Sequence, residues 1–166
     1  MKQNLQNATQ IRLETEADTD LLARAVAKHL RAGDVVLLSG SLAAGKTTFV
    51  RHVATWLGST DRVSSPTYTL ANFYQSPRAQ IIHIDAYRLK NAAEFLDLAL
   101  EEELERSIAL IEWGESLTDE FDNWIGIDIA TLPESETGRL VTLSASGPEM
   151  ITRVQGILSA YSEADV

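Results

Sequence analysis

The segment Gly40-Ser41-Leu42-Ala43-Ala44-Gly45-Lys46-Thr47 narrows what this chain can fold into more than any other. It fits G-x-x-x-x-G-K-[ST], a turn in which the chemistry sets each position. Glycine lets the backbone turn tightly enough for successive N–H groups to converge on a phosphate. A helix that follows points the positive end of its dipole at the same anion. Lys46 adds a point charge for the β- and γ-phosphates, and the Thr47 hydroxyl is a ligand for Mg²⁺. Such a turn needs a buried strand before it and a helix after it. Asp34 to Ser39 (DVVLLS) is an apolar run of strand length, suited to a sheet covered on both faces. From about Gly45 to Leu57 the pattern is helical, closed by Gly58.

Around this unit strand-like and helix-like segments alternate, which predicts an α/β domain. Gln10 to Thr15 reads as a short strand. Thr15 and Asp18 form a capping box for a helix with Leu22, Val26 and Leu30 as its apolar stripe, Arg31 in its last turn and Gly33 beyond. Tyr68 to Tyr74 is a weaker strand. Gln80 to Asp85 (QIIHID) and Ile108 to Glu112 (IALIE) are apolar runs that each end in a carboxylate. Between them a helix carries Leu96, Leu100 and Leu104. Trp124 to Ala130 and Arg139 to Ala145 predict two late strands, joined as a hairpin through a loop holding Pro133 and Gly138. Ser146-Gly147-Pro148 opens a last helix with Ile151, Val154, Ile157 and Leu158 inward. The expectation is a three-layer P-loop NTPase fold, with a mostly parallel central sheet and a C-terminal antiparallel hairpin. No repeat or linker interrupts residues 1–166, so one domain is expected.

Composition removes several function classes. A hydrophobic fraction of 45% beside 23% charged residues is that of a soluble globular protein. No apolar run approaches the roughly 20 residues that span a bilayer, and the N-terminal residues lack the apolar stretch of a secretion signal. Without cysteine there is neither a disulfide framework nor a thiolate metal site. A cytoplasmic protein is expected, in which the sequon at Asn7-Ala8-Thr9 carries no meaning. The net charge of −10 opposes unaided binding to RNA, which needs arrays of Lys and Arg to displace counterions.

A P-loop NTPase needs a second anchor for Mg²⁺ and a group that orients the attacking water. Both come from carboxyl ends of strands beside the loop, where open α/β sheets bind ligands. Asp85 and Glu112 stand at such ends. Ser64-Ser65-Pro66-Thr67-Tyr68-Thr69 lies between the loop helix and the Asp85 strand. It reads equally as a sensor of the γ-phosphate or as a plain turn. Trp113 reads as a core tryptophan in preference to a shelter for the nucleotide, and His83 as structural. Glu101-Glu102-Glu103-Leu104-Glu105 reads as the wet face of a helix.

The order GSLAAGKTTFV, SSPTYTLANFY, HIDAYRL and IEWGESL resembles the TsaE family. That family's pattern is GDLGAGKTTF, SPTFTL followed by an aromatic, HxDxYRL and EWPE or similar. Tyr87-Arg88-Leu89 is the most specific part, since a general P-loop protein has no need of it. The resemblance runs from Gly40 to Leu117. It implies an ATPase using ATP and Mg²⁺ beside two partner proteins, TsaB and TsaD, in attaching a threonylcarbamoyl group to the adenosine 3′ of the anticodon in tRNA. It implies nucleotide binding by Ser41, Leu42, Ala43, Ala44, Gly45, Lys46, Thr47 and Thr48, with Arg139 and Glu16 as further contacts. Thr47 and Glu112 become Mg²⁺ ligands, with Lys46 and Asp85 serving hydrolysis. An exchange of roles between Asp85 and Glu112 stays open.

The chain departs from the pattern at Ser41 and Ala43, where the family has Asp and Gly, and at Ala86, where it has Leu. The first two positions serve phosphate mainly through backbone N–H, so binding is expected to survive. Two rival readings remain: a nucleotide-gated binding module with little turnover, and a small-molecule kinase. The kinase needs a lid with several arginines, and the arginines after the loop form no such cluster. The lack of an Asn-Lys-x-Asp segment disfavours a GTPase.

Overall fold

The computed structural model describes residues 8–66 and 70–164. Strands β1 (Thr9–Leu13), β2 (Val35–Ser39), β3 (Ala71–Tyr74), β4 (Gln80–Asp85), β5 (Ser107–Glu112), β6 (Trp124–Leu132) and β7 (Ser135–Ser146) form one sheet in the order β1-β7-β6-β2-β5-β4-β3. The central strands β6, β2, β5 and β4 run parallel; β3, β7 and β1 pair antiparallel with their neighbours. The late hairpin is therefore present, with longer strands and a tighter turn than the sequence suggests. Burial of every residue of β5 and the first four of β2 explains their unbroken apolar runs.

Helices α1 (Glu16–Lys28), α2 (Lys46–Trp56) and α5 (Pro148–Ala164) cover one face. They pack on Val36, Leu38, Ile81, Leu110 and Ile127. Helices α3 (Ala92–Leu96) and α4 (Glu101–Arg106) and a 3-10 turn over Gly114–Glu120 cover the other, on Val35, Leu37, Ile82, Ile84 and Ile111. The alternation of odd and even positions between two cores is the pleat of the strands.

The Thr15–Asp18 capping box forms, with both reciprocal bonds in place. Helix α1 nevertheless stops at Lys28, so Arg31 is not in its last turn. Arg31 instead donates its backbone N–H to Asp34 and its guanidinium to Glu149. The expected single helix through Leu96, Leu100 and Leu104 is two short ones. Asn91 caps the first, whose buried Phe95 anchors it and leaves Leu96 half exposed. Ala99, at φ 53°, breaks the backbone; Glu101, Glu102 and Glu103 then open a new helix, where acidic side chains suit the dipole. The start of the weak strand at Tyr68, the residues 67–69 of the hydroxyl-rich loop and Asn7 of the sequon lie outside the described residues. Among the described residues no helix is long and apolar enough to cross a membrane.

Candidate functional site: a phosphate loop with two strand-end carboxylates

The loop begins where β2 ends. Gly40, at φ 136°, passes against β6 so closely that a Cβ there would lie 2.3 Å from the Ile129 carbonyl oxygen. Gly45, at φ 112°, precedes α2 and gives it no side-chain cap. The first N–H groups of α2 are thereby left for a ligand. Ala43 also lies in the left-handed region, at φ 64°, where the family pattern has glycine. That conformation costs a non-glycine residue about 1–2 kcal/mol, against 0.4–1 kcal/mol that glycine adds in chain entropy. Ala43→Gly is accordingly expected to stabilise the fold by about 0.5–1 kcal/mol and raise the melting temperature by about 2 °C in thermal unfolding. A lowered melting temperature would show that the loop relieves the strain elsewhere.

Strand pairing delivers the acidic groups. Asp85 and Glu112 are register partners on parallel β4 and β5, and His83 shares their face, the face that α2 covers. The Thr47 hydroxyl lies 2.8 and 2.9 Å from the two Glu112 carboxylate oxygens. Glu112 is buried and takes a second bond, 2.6 Å from His83 Nε2. Asp85 accepts the Tyr87 N–H at 2.9 Å. Lys46, Thr47, Thr48, Asp85, Glu112, Ser65, Tyr87 and Trp113 line one cavity of about 390 Å³. A second cavity of about 220 Å³ shares Gly45 and Thr48 with it and is lined by Ala44, Glu16 and Arg139. Arg139 Nε donates to the Ala44 carbonyl at 2.7 Å, which braces the loop from β7.

Lys46 folds back on its own loop, donating to the carbonyls of Gly40 at 2.7 Å and Ser41 at 2.9 Å. The Trp113 ring covers the ammonium, 3.9 Å from its centroid. Burial lowers the Lys46 pKa, while Glu112, Glu115, Asp85 and Asp128 pull it the other way. Trp113 is thus only half buried: it packs against the edge of the core and also covers the loop lysine, held at φ 58° with its ring tilted by 46° against Tyr87 at 4.9 Å. His83, expected to be structural, is fully buried and bonded to the strand-end glutamate. A count of two back from Asp85 along β4 was the sequence signal for it.

A hydroxyl and a carboxylate, both hard oxygen donors, suit Mg²⁺, which needs few protein ligands when phosphates and waters complete its shell. Among the described residues no three His, Cys, Asp or Glu side chains are grouped to hold a metal alone. The donor set fits a metal that arrives with a nucleotide.

Known proteins resemble this chain over most of its length. A family model described as threonylcarbamoyl adenosine biosynthesis protein TsaE matches residues 13–140. A Streptomyces coelicolor protein named tRNA threonylcarbamoyladenosine biosynthesis protein TsaE is 38% identical over 144 residues, covering 83% of this chain and 97% of its own. One of the same name from Treponema pallidum is 38% identical over 108 residues, 64% of this chain and 79% of its own. The crystal structure of Bacillus subtilis YdiB superposes with a TM-score of 0.74 at 26% identity, covering 96% of this chain and 97% of that one. With the motifs, the sheet order and these relatives in agreement, the chain belongs to the TsaE family.

Proposed function

We propose that the chain binds ATP with Mg²⁺ and hydrolyses it in the service of tRNA threonylcarbamoylation, acting with TsaB and TsaD. The observation that carries this reading is the convergence of Lys46, Thr47, Asp85 and Glu112 on one cavity at the mouth of the phosphate loop. The loop N–H groups and the α2 N-terminus hold the β-phosphate, and Lys46 leaves its carbonyl partners to reach the γ-phosphate. Thr47 and Glu112 hold Mg²⁺, which when bound offsets phosphate charge and fixes the geometry of the transferring group. Asp85, at the neighbouring strand end, orients the attacking water. The adenosine end lies toward Glu16 and Arg139, in the cavity that continues past Gly45 and Thr48. The charge of −10 supports leaving the grip on tRNA to the partners, and a cytoplasmic setting belongs to the same proposal.

The latched Lys46 favours little turnover by the isolated chain, so the module reading differs from this one in degree of hydrolysis. Phosphate release, measured with and without the TsaB–TsaD pair, separates them. Release that rises with the pair and phosphorylates no acceptor is expected. Near-zero release in both conditions, with tight ATP binding, would favour the binding module.

A further inference from the structure

His83 uses both ring nitrogens. Nε2 lies 2.6 Å from Glu112 Oε2, and Nδ1 lies 2.9 Å from the Tyr74 hydroxyl. That hydroxyl in turn meets Ser64 twice: the Ser64 N–H donates to it at 3.4 Å, and the Ser64 carbonyl, 3.2 Å away, is a second and longer acceptor for its proton beside Nδ1. Ser64 borders Ser65, which lines the phosphate cavity. With the proton on Nε2, one direction of donation satisfies the whole chain. Ser64 N–H donates to the Tyr74 oxygen, Tyr74 O–H donates to Nδ1, and Nε2–H donates to Glu112. The Ser64 carbonyl keeps its own donor, Asn72 Nδ2 at 3.1 Å.

Glu112 explains why this differs from an ordinary core histidine. A buried carboxylate needs donors, and among the described residues the side-chain donors that reach Glu112 are Thr47 and His83. His83 holds Oε2 and so sets the plane of the carboxylate, in which both oxygens face the Thr47 hydroxyl at 2.8 and 2.9 Å. Without it the carboxylate is free to rotate about its last bond, and the Thr47–Glu112 pair loses the orientation a metal requires. Groups that orient a ligand in this way typically govern metal affinity by 10–100-fold.

We propose that His83 is a positioning residue for the metal-binding carboxylate of Glu112, with Tyr74 tying it to the Ser64 segment. This rests on the proposed Mg²⁺–ATP site. Movement of the Ser64 backbone is then felt at Glu112 through two rigid aromatic rings, which couples the cavity rim to the metal.

The test titrates Mg²⁺ into the full-length protein with a fluorescent ATP analogue and reads the Mg²⁺ concentration for half-maximal binding. His83→Leu is expected to raise it by about 10–100-fold. His83→Gln, whose amide nitrogen reaches the place of Nε2, is expected to stay close to wild type. Tyr74→Phe, which leaves His83 in place but frees its ring, is expected to raise it by less than His83→Leu. A folded His83→Leu protein with the wild-type Mg²⁺ requirement overturns the proposal, as does equal loss in His83→Gln and His83→Leu. If His83→Leu does not fold, Tyr74→Phe decides: a raised requirement supports the coupling and an unchanged one overturns it. Wild-type protein that binds the analogue without regard to Mg²⁺ would overturn the underlying site, a result distinct from all of these.

Discussion

Replacing Lys46 with alanine is expected to weaken ATP binding by about a hundredfold while leaving the fold intact. Charge-assisted hydrogen bonds contribute about 1.5–3 kcal/mol each, and 1.4 kcal/mol is a factor of ten. An ammonium placed between β- and γ-phosphates makes more than one such bond, so the gross loss exceeds a hundredfold. The structure sets what is subtracted. Lys46 already donates to Gly40 and Ser41 and sits beneath Trp113, so nucleotide binding exchanges those contacts for phosphate. The alanine variant loses the phosphate contacts but also has no latch to undo. Ser41 is exposed and Gly40 half exposed, so water replaces the lysine at their carbonyls and stability changes little. Isothermal titration with ATP and Mg²⁺ measures the loss, and thermal unfolding checks the fold. Wild-type affinity in this variant would remove the phosphate-binding role of Lys46 and pass it to Arg88, the other cationic side chain that lines the cavity among the described residues.

The fold was legible because its signals are local and periodic. A buried run before a glycine-rich turn, an amphipathic helix after it and carboxylates at two further strand ends fix β2, α2, β4 and β5 together. Parallel pairing then brings Asp85 beside Glu112 with no further information. What stayed hidden depends on contacts between distant segments or on unusual backbone. Trp113 adopts a left-handed conformation that no residue type announces, and this turns its ring over Lys46. The break at Ala99 is similarly unannounced, although Asn91 and the acidic turn from Glu101 are helix-start signals that outweigh the four-residue leucine spacing. His83 was legible by strand parity yet passes for a core residue until Glu112 is seen against it.

Glu112→Gln is expected to move two affinities in opposite directions. Asp85 and Glu112 line the cavity with Lys46 and Arg88, and Glu115 and Asp128 lie close enough to act on the lysine's charge, so four carboxylates outnumber two cations around a site meant for a triphosphate. Such a surplus repels the bare nucleotide and is tolerable only if a divalent cation enters with it. Glutamine keeps the shape of Glu112 and accepts from Thr47 through its carbonyl oxygen. Its amide faces His83, whose ring accepts there by carrying its proton on Nδ1 and donating it to Tyr74, so packing survives. The charge does not. Loss of a direct carboxylate ligand is expected to raise the Mg²⁺ requirement by about 100-fold or more, at least the upper end for groups that only orient ligands. Removing one negative charge a few ångström from the phosphates is worth about 1 kcal/mol even at the dielectric of water, about fivefold tighter binding of metal-free ATP. Titrations with ATP in chelator and in Mg²⁺ measure both. A variant weakened equally in the two conditions has lost shape rather than charge. An unchanged Mg²⁺ requirement beside tighter metal-free binding would hand the direct metal contact to Asp85, whose register position makes it the alternative ligand.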